Sequence, residues 1–191
     1  MKKILLGAVL AAVVVFAWGA VARMATPLGH MGIKKMESEG AVLSATQHTI
    51  DDPGFYFFPG IDRDRKLSDA EEEAWNAKYE AGPRGILIYE PKGGKAMSPT
   101  QLLTQFVINF AAGLVAAILL SMTSVTFPKR VLFVTLLGVF SWLVLSLPYW
   151  NWYFFPMTFV LAEGIMQTVG WLLGGIVLAA VVKPAKASGA S

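Results

Sequence analysis

Four long apolar segments dominate this sequence and limit what it can fold into. They run from Ile4 to about Ala22, from about Gln101 to Met122, from Val131 to about Trp150, and from about Met157 to Val182. A helix needs roughly 20 apolar residues to cross the ~30 Å hydrocarbon core of a bilayer, and each segment meets that length. Only Glu163 places a charge inside them. The sequence therefore predicts a mainly α membrane protein with four transmembrane helices.

The composition agrees with this class and excludes others. Hydrophobic residues make up 55% of the 191-residue chain and charged residues only 15%, against about 25% charged in ordinary globular proteins. Twelve of the thirteen acidic residues lie between Glu37 and Glu90. The basic residues are scattered, so no nucleic-acid partner is expected. The absence of cysteine excludes disulfides and thiolate metal sites.

Basic residues mark one side of the predicted spans. Short cytoplasmic flanks are enriched in Lys and Arg, and three flanks carry a basic pair without an acid, namely Lys2 with Lys3, Lys129 with Arg130, and Lys183 with Lys186. Arg23 is the one exception. This pattern predicts a multi-pass membrane protein with both termini in the cytoplasm. The first apolar run, about 19 residues, exceeds a signal-peptide core, so we expect a retained signal anchor.

These observations divide the chain into eight segments. We expect transmembrane helix 1 at residues 1–24, an extracytoplasmic (periplasmic) domain at 25–100, helix 2 at 101–124, a cytoplasmic loop at 125–130, helix 3 at 131–150, an aromatic extracytoplasmic turn at 151–156, helix 4 at 157–182, and a cytoplasmic tail at 183–191.

The predicted periplasmic domain is charged, punctuated by Gly and Pro, and has an α+β pattern. We expect helices within Lys35–His48 and from Ser68 to about Glu80, and strands at Phe55–Phe58 and Gly85–Tyr89. Ser68 and Glu71 have the spacing of a capping box. A domain of about 75 residues with so few elements has a thin core. We therefore expect it to rest on the membrane helices or on a partner.

One polar cluster is expected inside the membrane. Glu163 costs roughly 2.5–3.5 kcal/mol in a transmembrane helix, and Gln167 lies one turn further along. Gln105 and Asn109 fall on one face of helix 2, at a depth similar to that of Glu163. These groups could form an ion or ligand site. We favour a hydrogen-bonded staple between helices 2 and 4, because the spans contain no second acid.

Small residues form stripes on two of the predicted spans. Gly170 and Gly174 make a GxxxG pattern on helix 4, and Gly113 and Ala117 continue a similar stripe on helix 2. Small side chains let helix backbones approach closely. The stripes predict tight helix packing, either within the chain or between chains.

Two aromatic runs are candidate docking surfaces. One covers the end of helix 3 and the turn after it, with Tyr149, Trp150, Trp152, Tyr153, Phe154 and Phe155, and the other is the strand Phe55, Tyr56, Phe57 and Phe58. Tyr and Trp concentrate at membrane interfaces, so the first run is interpreted as an aromatic belt on a tight hairpin. Docking of another membrane subunit, a quinone or a pigment is the alternative. The second run is expected to be a core strand, with an interface strand as the alternative.

Metal and catalytic signatures are weak. His30 lies near three methionines and His48 near two aspartates, but neither has the tight ligand spacing of a copper or other metal site. No nucleophile elbow, zinc-binding helix, phosphate loop or dinucleotide fingerprint occurs. We predict no metal, no cofactor and no enzymatic activity.

Three strings together resemble a known group of sequences. Pro53–Gly60 (PGFYFFPG), Gly85–Tyr89 (GILIY) and Tyr149–Tyr153 (YWNWY) resemble segments of uncharacterised bacterial inner-membrane proteins with four spans. The resemblance implies the four-span architecture and a bacterial inner (plasma) membrane. It implies no activity, cofactor or catalytic residue.

The sequence favours an accessory role over a catalytic one. We expect a non-catalytic inner-membrane accessory subunit or assembly factor, whose periplasmic domain and aromatic hairpin dock by protein–protein interaction onto a larger membrane complex, with an energy-transducing complex as one candidate. The alternative is a small-molecule or ion binder or transporter that uses Glu163 and the polar face of helix 2. The expected partners are the lipid bilayer and membrane-protein subunits.

Overall fold

The computed structural model describes residues 1–62 and 64–184, and within them the chain is mainly helical. In chain order the elements are α1 (Lys2–Ala25), a 3-10 turn (Pro27–Gly29), α2 (Glu39–Thr49), β1 (Gly54–Phe58), α3 (Asp69–Ala81), β2 (Gly85–Tyr89), α4 (Pro99–Ser121), α5 (Phe127–Tyr153) and α6 (Met157–Val181). Four helices, α1, α4, α5 and α6, are long and apolar enough to cross a membrane. The predicted helical class and its four long apolar helices are confirmed.

The chain forms two compact units. The helical unit comprises Met1–Ile33, Ala96–Asn151 and the chain from Phe155 onward, and the small unit comprises Lys34–Lys95 with Trp152–Phe154. The helical unit therefore contains all four long helices, apart from the last residues of α5. The expected cytoplasmic tail, including Lys186, falls mostly on residues 185–191, which lie outside the described part.

Small residues determine how the helical unit packs. Ala8, Ala11 and Ala12 of α1 are completely buried. On α4, a Cβ added at Gly113 would lie 3.2 Å from the Ala8 carbonyl oxygen. On α6, a Cβ added at Gly174 would lie 3.0 Å from a methyl group of Val15 in α1. Both predicted stripes therefore pack against α1 within the chain. Helix α1 supplies a third small-residue stripe, which lets both neighbours approach it closely.

Helix α5 packs on α6. A Cβ added at Gly138 would lie 2.8 Å from the Cβ of Trp171, so only glycine fits this crossing. The Trp142 indole Nε1 donates a hydrogen bond of 2.8 Å to the Val160 carbonyl oxygen. An indole N–H that is shielded from water needs such a partner. The contact therefore fixes the two helices relative to each other.

Helix α5 is longer than the sequence predicts. It begins at Phe127 and ends at Tyr153, whereas a loop was expected at 125–130, a helix at 131–150 and a turn at 151–156. Pro148 lies inside the helix, as it did inside the predicted span, because proline removes one backbone hydrogen bond without forbidding the helix to continue. The turn before α6 is shortened to Phe154–Pro156, where Phe154 adopts a φ of 61°. Positive φ is uncommon outside glycine and marks a sharp reversal.

Capping boxes mark the starts of α4 and α3. The Ser98 side chain accepts a hydrogen bond from the Gln101 backbone, the Gln101 side chain accepts one from the Ser98 backbone, and Pro99 occupies the first turn of α4. In the small unit, Ser68 and Glu71 form the same reciprocal box at the start of α3. The predicted capping box at Ser68 is thus present, and it satisfies backbone N–H groups that the first turn leaves without helical partners.

An ion pair extends the α3 cap. The Arg65 guanidinium donates to both carboxylate oxygens of Glu71, at 2.6 and 3.1 Å. The hydrogen bond from Arg65, followed by those from Ser68, lowers the pKa of Glu71 to about 2. The same hydrogen bond raises the pKa of Arg65. A charged carboxylate is also favoured here by the positive end of the helix.

The small unit has little core. Its sheet contains two antiparallel strands, with Tyr56 opposite Leu87 at the centre. Helix α2 begins at Glu39, inside the predicted range Lys35–His48, and ends at Thr49, with Ser38 as its N-cap. Within the described part of the small unit, no residue is fully buried. The two strands and the α3 helix agree with the predicted α+β pattern, and the absence of buried side chains agrees with the expected thin core.

Candidate functional site

Helices α1, α4 and α6 enclose a cavity of about 280 Å³ near the C-terminal end of α1. Most of its wall is apolar and includes Phe16, Trp18, Met24, Met97 and Met166. The polar residues that line it are Arg23, Gln105, Asn109, Glu163 and Gln167. The structure thus brings all four members of the predicted polar cluster to one cavity and adds Arg23 to them.

Glu163 is paired with an arginine across the cavity. The Arg23 Nη1 lies 3.1 Å from Glu163 Oε1, and Nη2 lies 3.4 Å from Oε2. Two parallel contacts of this kind are the fork geometry that guanidinium and carboxylate groups prefer. The Arg23 side chain is 57% exposed and that of Glu163 only 17%. The pair therefore spans the boundary between the bundle and its surroundings.

The predicted hydrogen-bonded staple between α4 and α6 is wrong, because Glu163 pairs with a residue of α1 and not of α4. Gln105 Nε2 donates to Asn109 Oδ1 at 3.0 Å, so these two amides bond to each other along α4. Glu163 instead connects α6 to α1. An arginine offers the carboxylate a charge as well as hydrogen bonds, and α1 carries it in its last turn, where the helix dipole favours a cation.

The positions of Arg23 and Glu163 in the sequence already indicate that the two residues can pair. Arg23 follows the first apolar run at the end where Glu163 enters the fourth. Two opposite charges at matching depth on antiparallel helices can pair. Arg23 was counted only as an exception to the charge rule, so this pairing was missed.

Trp18 is a second residue that sequence reasoning did not identify. Its indole Nε1 donates a 3.0 Å hydrogen bond to the Met166 carbonyl oxygen, and its ring lines the cavity. A Cβ added at Gly170 would lie 3.2 Å from Trp18 Cδ1. Gly170 therefore leaves space for the indole, which forms one rigid wall of the cavity.

The predicted aromatic docking residues are partly used within the chain. In the small unit, the Phe55 and Phe57 rings lie 5.6 and 6.0 Å from the Tyr153 ring. The Arg84 guanidinium carbon lies 4.8 Å from the ring centroid of Phe154 and the same distance from that of Tyr79. In the helical unit, the Tyr149 ring lies 5.4 Å from Phe155. Such contacts stabilise each unit internally.

Other members of the aromatic runs remain exposed. Trp152 is 69% exposed, Phe55 54% and Trp150 45%. Tyr56 is half-buried and donates its hydroxyl to the Asp52 carbonyl oxygen at 2.8 Å, while Phe58 is 42% exposed. The strand β1 is thus neither a fully buried core strand nor a wholly free edge.

The two weak metal candidates have no metal-like surroundings in the described residues. His48 Nδ1 lies 2.6 Å from the Ser44 carbonyl oxygen within α2, and His30 ends the 3-10 turn. Across residues 1–62 and 64–184, no three His, Asp or Glu side chains come close enough together to hold a metal ion.

Comparisons of this chain with protein-family models, curated proteins and solved structures gave no match.

Proposed function

We propose that this chain is a multi-pass membrane protein that binds a small amphipathic molecule in the cavity between α1, α4 and α6. The observation that carries the proposal is the cavity itself, which combines an apolar wall with an Arg23–Glu163 ion pair and side-chain amides. Ligand sites are typically concave and mostly apolar, with a few convergent polar groups. We propose binding rather than catalysis.

The membrane placement rests on the exposed apolar surface of the helices. In the most apolar stretch of each long helix, at most a third of the residues are buried inside the protein. The remaining side chains, among them Leu103, Val115, Leu136 and Phe140, face outward. Water would disfavour so much apolar surface, whereas lipid would not.

The proposed orientation puts both termini in the cytoplasm and residues 25–100 in the periplasm of a bacterial inner membrane. Its support is the charge at one end of the helical unit, where Met1, Ser121 and Val182 line one depression together with Lys2, Lys3 and Lys183. The start of α1 and the ends of α4 and α6 therefore share one basic end, as the positive-inside rule requires of a cytoplasmic side.

The ligand that suits this cavity has an apolar body and a compact polar head. The body would lie against Trp18, Phe16 and Met166, where burial of apolar area gives about 25 cal/mol per Å². The head would bond to Gln167 and to the amides of α4. At the mouth of the cavity, the Glu163 carboxylate would accept a hydrogen bond from the head, and the Arg23 guanidinium would donate one.

A cavity-filling substitution tests the proposal. Gly19 lines the cavity, and a Cβ added there meets no atom within 4 Å, so Gly19→Leu should fill the space without displacing the helices. Gly40 of α2 also has open space around its Cβ position, so Gly40→Leu is the matched control. Each purified protein is extracted with solvent, and its small molecules are compared by mass spectrometry.

The expected result is an amphipathic molecule that copurifies with the wild type and with Gly40→Leu but is depleted about tenfold or more in Gly19→Leu. Thermal unfolding checks that Gly19→Leu remains folded. An identical set of extracted molecules in all three folded proteins would refute binding in this cavity.

A second candidate function, docking as an accessory subunit or assembly factor, is favoured by a different observation. The small unit has no fully buried residue in its described part, and Ile88 of β2 is 71% exposed. A partner surface would supply the core that this unit lacks. Replacement of Trp150 and Trp152 with Leu should then release the protein from a copurifying complex while it still inserts in the membrane. Unchanged copurification of this double variant would count against docking.

A further inference from the structure

Arg130 is a buried guanidinium with incomplete hydrogen bonding. Only 3% of the residue is exposed. Its Nη2 donates to the Val182 carbonyl oxygen at 2.7 Å, while Nε and Nη1 are buried without a hydrogen-bond partner in the described protein. An arginine presents five N–H donors and stays charged. Buried donors of this kind require an acceptor, and a buried charge requires a counter-ion.

The helical unit offers Arg130 no carboxylate side chain. Every acidic residue except Glu163 lies between Glu37 and Glu90, and that range belongs to the small unit. Glu163 is in the second turn of α6, whereas Arg130 contacts Val182, which follows the last residue of the same helix. The 19 residues between them span about 28 Å at 1.5 Å per residue. The described part of the helical unit therefore provides no counter-ion for Arg130.

The surroundings of Arg130 are strongly positive. Val182, its hydrogen-bond partner, lines a depression of about 370 Å³ together with Lys2, Lys3 and Lys183. Lys2 and Lys3 lie in the first turn of α1, and Arg130 lies in the first turn of α5. These cations repel one another, and the positive dipole ends of α1 and α5 add to that repulsion, while the negative ends of α4 and α6 at the same place offset part of it. An anion at this end would relieve the repulsion.

We propose that this basic end is a binding site for the phosphate of an anionic phospholipid headgroup, which Lys2, Lys3 and Lys183 attract into the depression and Arg130, held beside its wall residue Val182, binds there. A guanidinium fork matches phosphate oxygens in two parallel hydrogen bonds, and Nε with Nη1 are adjacent donors. Lys2, Lys3 and Lys183 add charge around the depression. Basic pockets between membrane helices on the cytoplasmic side suit lipids of this kind. The site depends on the proposed membrane placement and is independent of the ligand cavity at the other end.

The test is thermal unfolding of the full chain in a neutral detergent with one of three additions, phosphatidylglycerol, phosphatidylcholine with the same acyl chains, or inorganic phosphate. Native mass spectrometry counts the bound lipid. Phosphatidylglycerol should raise Tm and appear as a bound species, and phosphatidylcholine should do neither, because its net charge is zero. A Tm rise with inorganic phosphate alone would also support an anion site and would overturn the lipid as its source.

Three variants locate the site. Arg130→Gln should weaken phosphatidylglycerol binding about tenfold or more, the loss expected for hydrogen bonds to a charged group. Lys183→Gln, which removes a charge from the depression without touching the buried guanidinium, should weaken it less and remains informative if Arg130→Gln fails to fold. Lys95→Gln, in the small unit, makes the same change in net charge and should have no effect.

Two results would overturn the inference. One is equal binding of phosphatidylglycerol and phosphatidylcholine by the wild type. The other is an equal loss of binding in Lys183→Gln and Lys95→Gln, which would reflect net charge rather than a built site.

Discussion

The Arg23–Glu163 pair gives the sharpest prediction about what holds the helical unit together. At the observed separation of 3.1 Å, Coulomb attraction between unit charges is about 1–5 kcal/mol for effective dielectric constants of about 80 down to 20. Arg23 is 57% exposed, so solvent screening favours the lower part of that range, and ordering of both side chains opposes it. We expect a net coupling of about 1–2 kcal/mol.

A double-mutant cycle measures this coupling. The variants are Arg23→Gln, Glu163→Gln and the combination, compared by thermal unfolding in detergent. The single changes should be unequal. Glu163→Gln leaves an arginine that can turn outward, at a cost of about 1 kcal/mol, whereas Arg23→Gln leaves a carboxylate that is only 17% exposed without its cation, at about 2–3 kcal/mol. For a chain of this length each kcal/mol lowers Tm by about 2–4 °C.

One result of the double-mutant cycle would refute the coupling between Arg23 and Glu163. Additive effects, with a coupling below about 0.5 kcal/mol, would mean that the pair contributes nothing beyond its separate residues. A parallel cycle between Glu163 and Asn109 provides the control, since the structure gives Asn109 a different partner. If Glu163 couples to Asn109 and not to Arg23, the staple between α4 and α6 that the sequence suggested is correct.

Three further predictions concern packing, pH and topology. Gly164→Ala should lower the free energy of unfolding by about 1–3 kcal/mol, because its Cβ would lie 2.7 Å from a tryptophan ring carbon. Gly19→Ala is the control, since its Cβ meets no atom within 4 Å and stability should not change. Thermal unfolding compares the two variants. The pKa of Glu71 is lowered to about 2 from 4.5, so its contribution to stability is complete above pH 4.5 and is lost as the pH falls toward 2. Denaturant unfolding at several pH values should show a smaller loss in Glu71→Gln, and an equal loss would contradict the ion-pair assignment. A cysteine at Lys95 should react with an impermeant thiol reagent in intact cells, and one at Lys183 only after permeabilisation; the reverse pattern would invert the proposed orientation.

The features that sequence alone predicted are those that depend on local chemistry. The four apolar helices follow from segment length and composition, and the start of α3 follows from the capping box of Ser68 and Glu71, whereas α4 begins at Pro99, two residues before the predicted start. The end of α5 was predicted less well. The predicted helix ended at residue 150, whereas α5 continues to Tyr153 with Pro148 inside it, because one missing backbone hydrogen bond does not end a helix.

The partner of Glu163 could not be deduced from any one helix. The choice between Arg23 and the amides of α4 depends on which helix lies beside α6. Small-residue stripes on α4 and α6 suggested that these two helices meet. The completely buried alanines of α1 show that α1 presents a stripe of its own and therefore lies against both. Packing of three helices is a tertiary property, and periodicity within one helix does not specify it.

Two arginines of the helical unit illustrate how burial decides what a charge requires. In the sequence, Arg23 departs from the positive-inside rule and Arg130 agrees with it. Arg23 is more than half exposed and has a carboxylate within 3.1 Å, so neither its charge nor its donors lack compensation. Arg130 is almost fully buried, and a single carbonyl oxygen accepts from it. Among residues 1–62 and 64–184, electroneutrality and hydrogen bonding are therefore met at the Glu163 end and unmet at the lysine-rich end. An anion from the membrane supplies both requirements at once, which is why the lysine-rich end, and not the ion pair, is the place to look for bound lipid.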